Sequence, residues 1–160
     1  MLTLVRCDDR LIHGQCMTVI TQEYEIARII VIDDFTATNA ILKTVFKTAV
    51  PPSMSADVFT IKDSISHIRE AMSNDVKTLV LMKSPTTYVE LRKEMSDMND
   101  ELNVGPMSNR KGTTPATPTT HLLVEEAESV KELVAQGIHV YFRQVPSQKT
   151  VEWDEIKNKF

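Results

Sequence analysis

Apolar and polar positions divide the chain into short continuous apolar runs and longer stretches with helical spacing. The runs are 2–6, 28–33, 55–59, 77–82, 102–104 and 138–144. Arg-Ile-Ile-Val-Ile-Asp at 28–33 is β-branched throughout its centre, which suits a strand covered on both faces by helices. Between the runs, 15–21 places Cys16, Val19 and Ile20 on one helical face. A helix over 39–49 carries Ile41, Leu42, Val45, Phe46 and Ala49, and Pro51-Pro52 stops it because proline cannot continue the hydrogen-bond ladder. Thr60 and Asp63 have capping-box spacing ahead of Ile61, Ile65, Ile68 and Met72. Ser84 as N-cap with Pro85 behind it announces another helix, striped by Tyr88, Leu91, Met95 and Met98. The last long helix runs over 125–136 and is closed by Gly137. Residues 105–120, with Pro106, Pro115 and Pro118, read as a long irregular loop that is functional or mobile, or that hides a short strand. Residues 146–150 break the pattern, and 151–160 read as a short closing helix or tail.

Strand and helix alternate along the whole chain. This predicts an α/β fold with an open, mostly parallel sheet, helices on both faces and right-handed crossovers. No repeat, low-complexity tract or linker interrupts the 160 residues, so residues 1–160 read as a single domain.

Composition narrows the function classes. The chain is 42% apolar and 25% charged, an ordinary globular mix, and its net charge of −4 argues against a nucleic-acid partner. No apolar run is long enough to cross a bilayer, and the N-terminus lacks a signal-peptide pattern. The two cysteines, Cys7 and Cys16, read as free thiols, so the expected location is cytoplasmic.

The candidate chemistry sits in the turn after the first strand, Cys7-Asp8-Asp9-Arg10-Leu11-Ile12-His13-Gly14-Gln15. A strand-to-helix turn in an α/β sheet lies at the carboxyl edge, where ligands bind. Neutral imidazole, with an ordinary pKa of about 6.5, is a nucleophile near neutral pH and can accept a phosphoryl group. Transfer of that group depends on positioning and on positive charge around its oxygens. Arg10 supplies a planar fork of donors, and Arg6 a second charge from the strand end. Backbone amides of Gly14, Gln15 and Cys16 open a helix whose dipole favours an anion, and Gly14 permits close approach. Asp8 or Asp9 can fix the imidazole tautomer, and Ser84 can donate to the phosphate from the end of the fourth strand. Each residue also has a plainer role: Asp8 and Asp9 as loop residues bonding their own backbone, Arg6 as a partner of Asp33, Ser84 as a helix cap. A rival reading joins Asp8 and Asp9 to Asp33 and Asp34 as a divalent-cation site for phosphate release. His67, His121 and His139 have no metal-like spacing and read as surface or packing residues.

The segment from Asp8 to Gln15 resembles the phosphorylation-site motif of the IIB components of the mannose/fructose/sorbose class of bacterial sugar phosphotransferase systems. Residues 28–34, 49–52, 103–105 and 140–146 are similar to the same family in order and spacing, so the likeness spans essentially the whole chain. It implies an open α/β sheet with an antiparallel edge strand. His13 would be transiently phosphorylated by a phosphohistidine on a IIA partner and would pass the group to a sugar carried by IIC and IID membrane partners. Arg10 would contact the phosphoryl group. No metal or organic cofactor is implied, and association with the membrane would be peripheral. A homodimer is left open, as is a solitary IIB-like regulatory phosphoprotein that feeds no transporter. Pro106, where the family more often has glycine, and the Thr/Pro-rich stretch 113–120 depart from the pattern.

Overall fold

The computed structural model describes the backbone of residues 1–160 and all side chains except those of Gln15 and Cys16. Its strands are β1 (Leu2–Cys7), β2 (Arg28–Ile32), β3 (Ser55–Phe59), β4 (Thr78–Met82), β5 (Glu101–Val104), β6 (Thr114–Thr117), β7 (Thr120–Leu122), β8 (His139–Phe142) and β9 (Val151–Glu152). Its helices are α1 (Gly14–Glu23), α2 (Asp34–Ala37), α3 (Ala40–Thr48), α4 (Ile61–Met72), α5 (Pro85–Glu94), α6 (Val124–Ala135) and α7 (Trp153–Ile156). Seven strands form one sheet in the order β3-β2-β4-β1-β5-β8-β9. All neighbours are parallel except β9, which pairs antiparallel with β8 at the edge.

Strand alternation divides the core between the two faces of the sheet. Val5, Cys7, Ile30, Val80 and Met82 pack with Ile68 of α4, Tyr88 and Leu91 of α5, and Val130 and Leu133 of α6. On the other face, Leu4, Ile29, Val31, Leu79 and Leu81 pack with Leu11, Ile12 and the α1 residues Met17 and Ile20. Every residue of β4 is buried, as expected for a central strand of near-continuous apolar character. From β1 the chain crosses to β2 on one side, and from β4 it crosses to β5 on the other. The carboxyl end of β1 is therefore the topological switch point of the sheet.

Several sequence expectations are corrected. Residues 105–120 are not structureless: β6 and β7 form a separate antiparallel hairpin, a feature that proline at 115 and 118 conceals from strand propensity. Apolar spacing over 39–49 suggests a buried face, yet α3 has no fully buried residue, and Ile41 is 76% exposed. Val19 of α1 is exposed, whereas Met17, Ile20 and Thr21 turn inward; the placement of Cys16 on that face lies outside the described residues. Met95 and Met98 are buried, but from the turn beyond the end of α5. The closing segment combines β9, α7 and a 3-10 turn, held by stacking of Trp153 on Phe142 and Phe160. Among the described residues, no helix is long and apolar enough to cross a membrane.

Candidate active site

The turn after β1 is anchored from below by a buried ion pair. Arg6 and Asp8 lie on the same face of the sheet by alternation, with Nη2 3.5 Å from Oδ2 and both side chains almost fully buried. Arg6 also donates from Nη1 to Asn103 Oδ1 and, at 3.1 Å, to the carbonyl of Arg143; Nη2 donates to the carbonyl of Gln144 at 2.9 Å. A buried guanidinium needs this many partners, since an uncompensated charge there would cost several kcal/mol. The structure therefore places Arg6 beneath the turn, spanning β1, β5 and the end of β8, rather than at its mouth.

Asp8 passes that order upward. Its Oδ2 lies 3.1 Å from His13 Nε2, and its Oδ1 accepts the backbone N–H of Arg10 at 3.2 Å. The Arg10 guanidinium is half exposed, with Nε 3.8 Å from Asp8 Oδ1, so its remaining donors face outward. Asp9 does not reach the ring. It accepts from the backbone N–H of Ser108 at 2.7 Å, while its own N–H donates to the carbonyl of Pro106. Of the two acidic residues, Asp8 touches the imidazole and Asp9 ties the 105–108 segment to the turn.

Backbone conformation between Asp8 and His13 is strained. Leu11 has φ +57°, a left-handed conformation costing a non-glycine residue about 1–2 kcal/mol. Burial of Leu11 and Ile12 in the α1-side core holds it there. His13 then takes an extended conformation as the N-cap of α1, and its side chain remains 20% exposed. No described side chain caps the first turn of α1, so its orphan N–H groups stay available to an anion. Gly14 has φ +35°, and a Cβ added there would meet nothing within 4 Å, so the space in front of the turn is open. The backbone amide of Gln15, expected at the phosphate, lies in the first turn of α1; its side chain lies outside the described residues.

Ser84 ends β4 as the N-cap of α5, and its hydroxyl accepts from the backbone N–H of Thr86 at 3.2 Å. Asp33 and Asp34 do not converge on Asp8 and Asp9. Asp33 caps α2 and pairs with Lys83, and Asp34 accepts from the backbone N–H of Ile61 at 2.9 Å. Burial pushes the Asp33 carboxyl up, but hydrogen bonds from Thr36 and Lys83 outweigh it and hold the group below its usual range. Among the described residues, no three His, Cys, Asp or Glu gather as a metal-binding group. Cys7 is fully buried behind the turn, and burial raises its thiol well above the usual value, so it is unreactive there. His67 stacks on Phe59, and His139 sits between Glu101 and Glu152 at the far end of the sheet. Sequence reasoning missed Asn103 as a partner of Arg6; the sole signal was its place in the Asn103-Val104-Gly105 likeness.

The turn brings together a histidine in contact with a buried carboxylate, a half-exposed arginine and a helix N-terminus without a side-chain cap at the carboxyl edge of an α/β sheet, an arrangement that can receive an anion. The family is shown by comparison with known proteins. Residues 2–160 match the sorbose-subfamily IIB component of the phosphotransferase system. A probable phosphotransferase enzyme IIB component of Streptococcus pyogenes is 30% identical over 99% of this chain and 100% of its own length. The mannose-specific EIIAB component of Escherichia coli is 30% identical over 99% of this chain, which spans 49% of that longer protein. The crystal structure of the IIBSor domain of the sorbose permease of Klebsiella pneumoniae superposes with a TM-score of 0.89 at 27% identity, covering 98% of this chain and 96% of that one. The chain belongs to the sorbose-subfamily IIB components of the phosphotransferase system. It is a phosphotransferase component of the sugar-uptake type.

Proposed function

We propose that residues 1–160 form one IIB-type phosphocarrier domain in which His13 is the residue transiently phosphorylated. The contact that carries this reading is His13 Nε2 to Asp8 Oδ2 at 3.1 Å. With Nε2–H donated to the carboxylate, the lone pair of Nδ1 is the free nucleophile. Nδ1 attacks phosphorus as the donor's phosphorus–nitrogen bond breaks. The ring gains positive charge as the new bond forms, and the Asp8 carboxylate stabilises it. Arg10 and the first amides of α1 hold the equatorial oxygens, with Gly14 leaving them room. In the second transfer a sugar hydroxyl attacks phosphorus, its proton is released, and the phosphorus–nitrogen electron pair returns to Nδ1.

The donor is a IIA protein or domain, a reading supported by the EIIAB composition of the Escherichia coli relative. The acceptor is a sugar presented by IIC and IID membrane components, with this chain on the cytoplasmic side and peripheral to them. The sorbose and mannose specificities of the relatives support that sugar class.

The test is intact mass after incubation with phosphoenolpyruvate, the general phosphotransferase proteins and a IIA of this class. An acid-labile gain of one phosphoryl group, absent from His13→Ala, is expected. A gain that persists in His13→Ala, or none in the unaltered protein with several IIA donors, refutes the reading.

A further inference from the structure

Strand register brings a lysine into the neighbourhood of the transfer site. Ile32 pairs with Met82, and Met82 with Cys7, so the next residues out form one row across three strands: Asp33, Lys83 and Asp8. The backbone N–H of Asp8 donates to the Met82 carbonyl at 2.9 Å, which holds this register past the strand ends. Val31 and Leu81 belong to the buried cluster that contains Leu11 and Ile12. Alternation therefore puts Asp33, Lys83 and Asp8 on the face where the His13 turn packs. One strand spacing, about 4.8 Å, separates the Lys83 backbone from that of Asp8, and the flexible four-carbon stem of lysine more than spans it.

At rest, Lys83 Nζ lies 2.9 Å from Asp33 Oδ2 and 6.0 Å from the centre of the Phe35 ring. Asp33 has other hydrogen-bond partners besides this lysine. The same oxygen accepts from Thr36 N at 3.0 Å and from Thr36 Oγ1 at 2.5 Å, and the carboxylate is largely buried. Lys83 is 41% exposed and is the more accessible partner of the pair. Phe35, 69% exposed, has no place in either buried cluster.

The charges of the turn leave a role for this lysine. Arg6 and Arg10 together balance Asp8 and Asp9, so the turn itself is neutral. With Nδ1 phosphorylated and Nε2–H kept on Asp8, the imidazolium offsets one of the two phosphoryl charges; the group is net negative by one charge, and an ammonium one strand away restores neutrality. We propose that Lys83 is a second, mobile cation of the transfer site, resting on Asp33 and moving to the phosphoryl oxygens once His13 is phosphorylated. Lys83 makes and breaks no covalent bond; it exchanges one ion pair for another. The inference rests on His13 as the phosphoryl acceptor.

The test uses the full chain, phosphorylated with phosphoramidate as a small donor, and compares the unaltered protein with Lys83→Met and Lys83→Arg. Lys83→Met is expected to slow phosphorylation of His13 by about tenfold or more, the scale of one lost charge contact at a developing anion. A pH titration of the phosphohistidine followed by phosphorus NMR supplies a readout that a purely structural lysine would not move. Removing a nearby positive charge disfavours the dianion, so the midpoint of the phosphoryl group should rise in Lys83→Met. Lys83→Arg should restore most of both properties. Unchanged rate, or a slower rate with an unchanged phosphate titration, overturns the role of Lys83 alone. Absence of label on the unaltered protein, from phosphoramidate and from IIA donors alike, sinks the carrier reading of His13 and this inference with it.

Discussion

The guanidinium of Arg6 occupies the space that a Cβ on Gly105 would need. A methyl group built on Gly105 would run into Arg6 Nη2 and Cζ and come within 2.9 Å of the Cys7 carbonyl. Gly105 directly follows β5, which pairs with β1 through Asn103 and Val104, so the missing side chain makes room for the buried arginine. Gly105→Ala should lower unfolding free energy by about 1–3 kcal/mol, the usual cost of overpacking a filled interior. Because Arg6 holds Asp8 and Asp8 holds His13, phosphorylation should slow in the same variant. Urea unfolding beside the initial labelling rate checks both. A stable variant with unimpaired labelling would show that the Arg6 position is not needed.

Asp8→Asn separates the electrostatic role of Asp8 from its shape. The amide fits the same space but cannot offset the positive charge that develops on His13, and it can present a donor to Nε2. Labelling of His13 should fall by about a hundredfold, the lower end for losing a proton-positioning group. Stability should also fall, by about 3 kcal/mol, because a buried pair is broken from one side while Arg6 keeps its carbonyl and Asn103 partners. Labelling within a factor of two or three of the unaltered protein would remove Asp8 from the chemistry.

The His13 turn was legible in the sequence because its parts are local. Arg10, His13 and Gly14 lie within five residues, between an apolar run and a helical pattern, and the structure brings them to the edge where that pattern predicts them. The parallel sheet was legible for the same reason: each β-branched run is followed by its own covering helix. What escaped depends on register. Nothing near Arg6 in sequence says that it is buried, since its partners Asn103, Arg143 and Gln144 arrive from β5 and the end of β8. Lys83 likewise gains meaning only from the row it shares with Asp33 and Asp8. Periodicity identified the apolar side of α3 correctly but could not say that little packs against it, which left Ile41 and Val45 exposed.

Ser84 tests the difference between a cap and a phosphate ligand. Its hydroxyl accepts the Thr86 N–H in the first turn of α5, next to Pro85. Ser84→Ala should cost about 1 kcal/mol of stability, typical of a lost N-cap. The rate of His13 labelling at a temperature well below unfolding should be unchanged. A labelling defect larger than the stability loss explains would return Ser84 to the phosphate site.

His139 gives the sheet edge a dependence on pH that is independent of His13. Its Nδ1 lies 3.2 Å from Glu101 Oε1 on β5 and its Nε2 2.9 Å from Glu152 Oε2 on β9, with the Tyr141 ring alongside. Hydrogen bonds to Glu101 and Glu152 raise the imidazole above its ordinary value against a smaller opposing effect of burial. A raised folded-state value means that the folded protein binds this proton more tightly than the unfolded chain does. The stabilisation is therefore complete below the ordinary imidazole value of about 6.5 and is lost as pH rises through the raised value. Against a His139→Gln variant, the unaltered protein should unfold at higher temperature below the ordinary imidazole value of about 6.5, and the gap should close as pH rises through the raised value. Because the side chain is half exposed, added salt should narrow the gap at the lower pH. A gap that widens with rising pH would show that His139 acts as a neutral packing residue and that the two glutamates do not hold its proton.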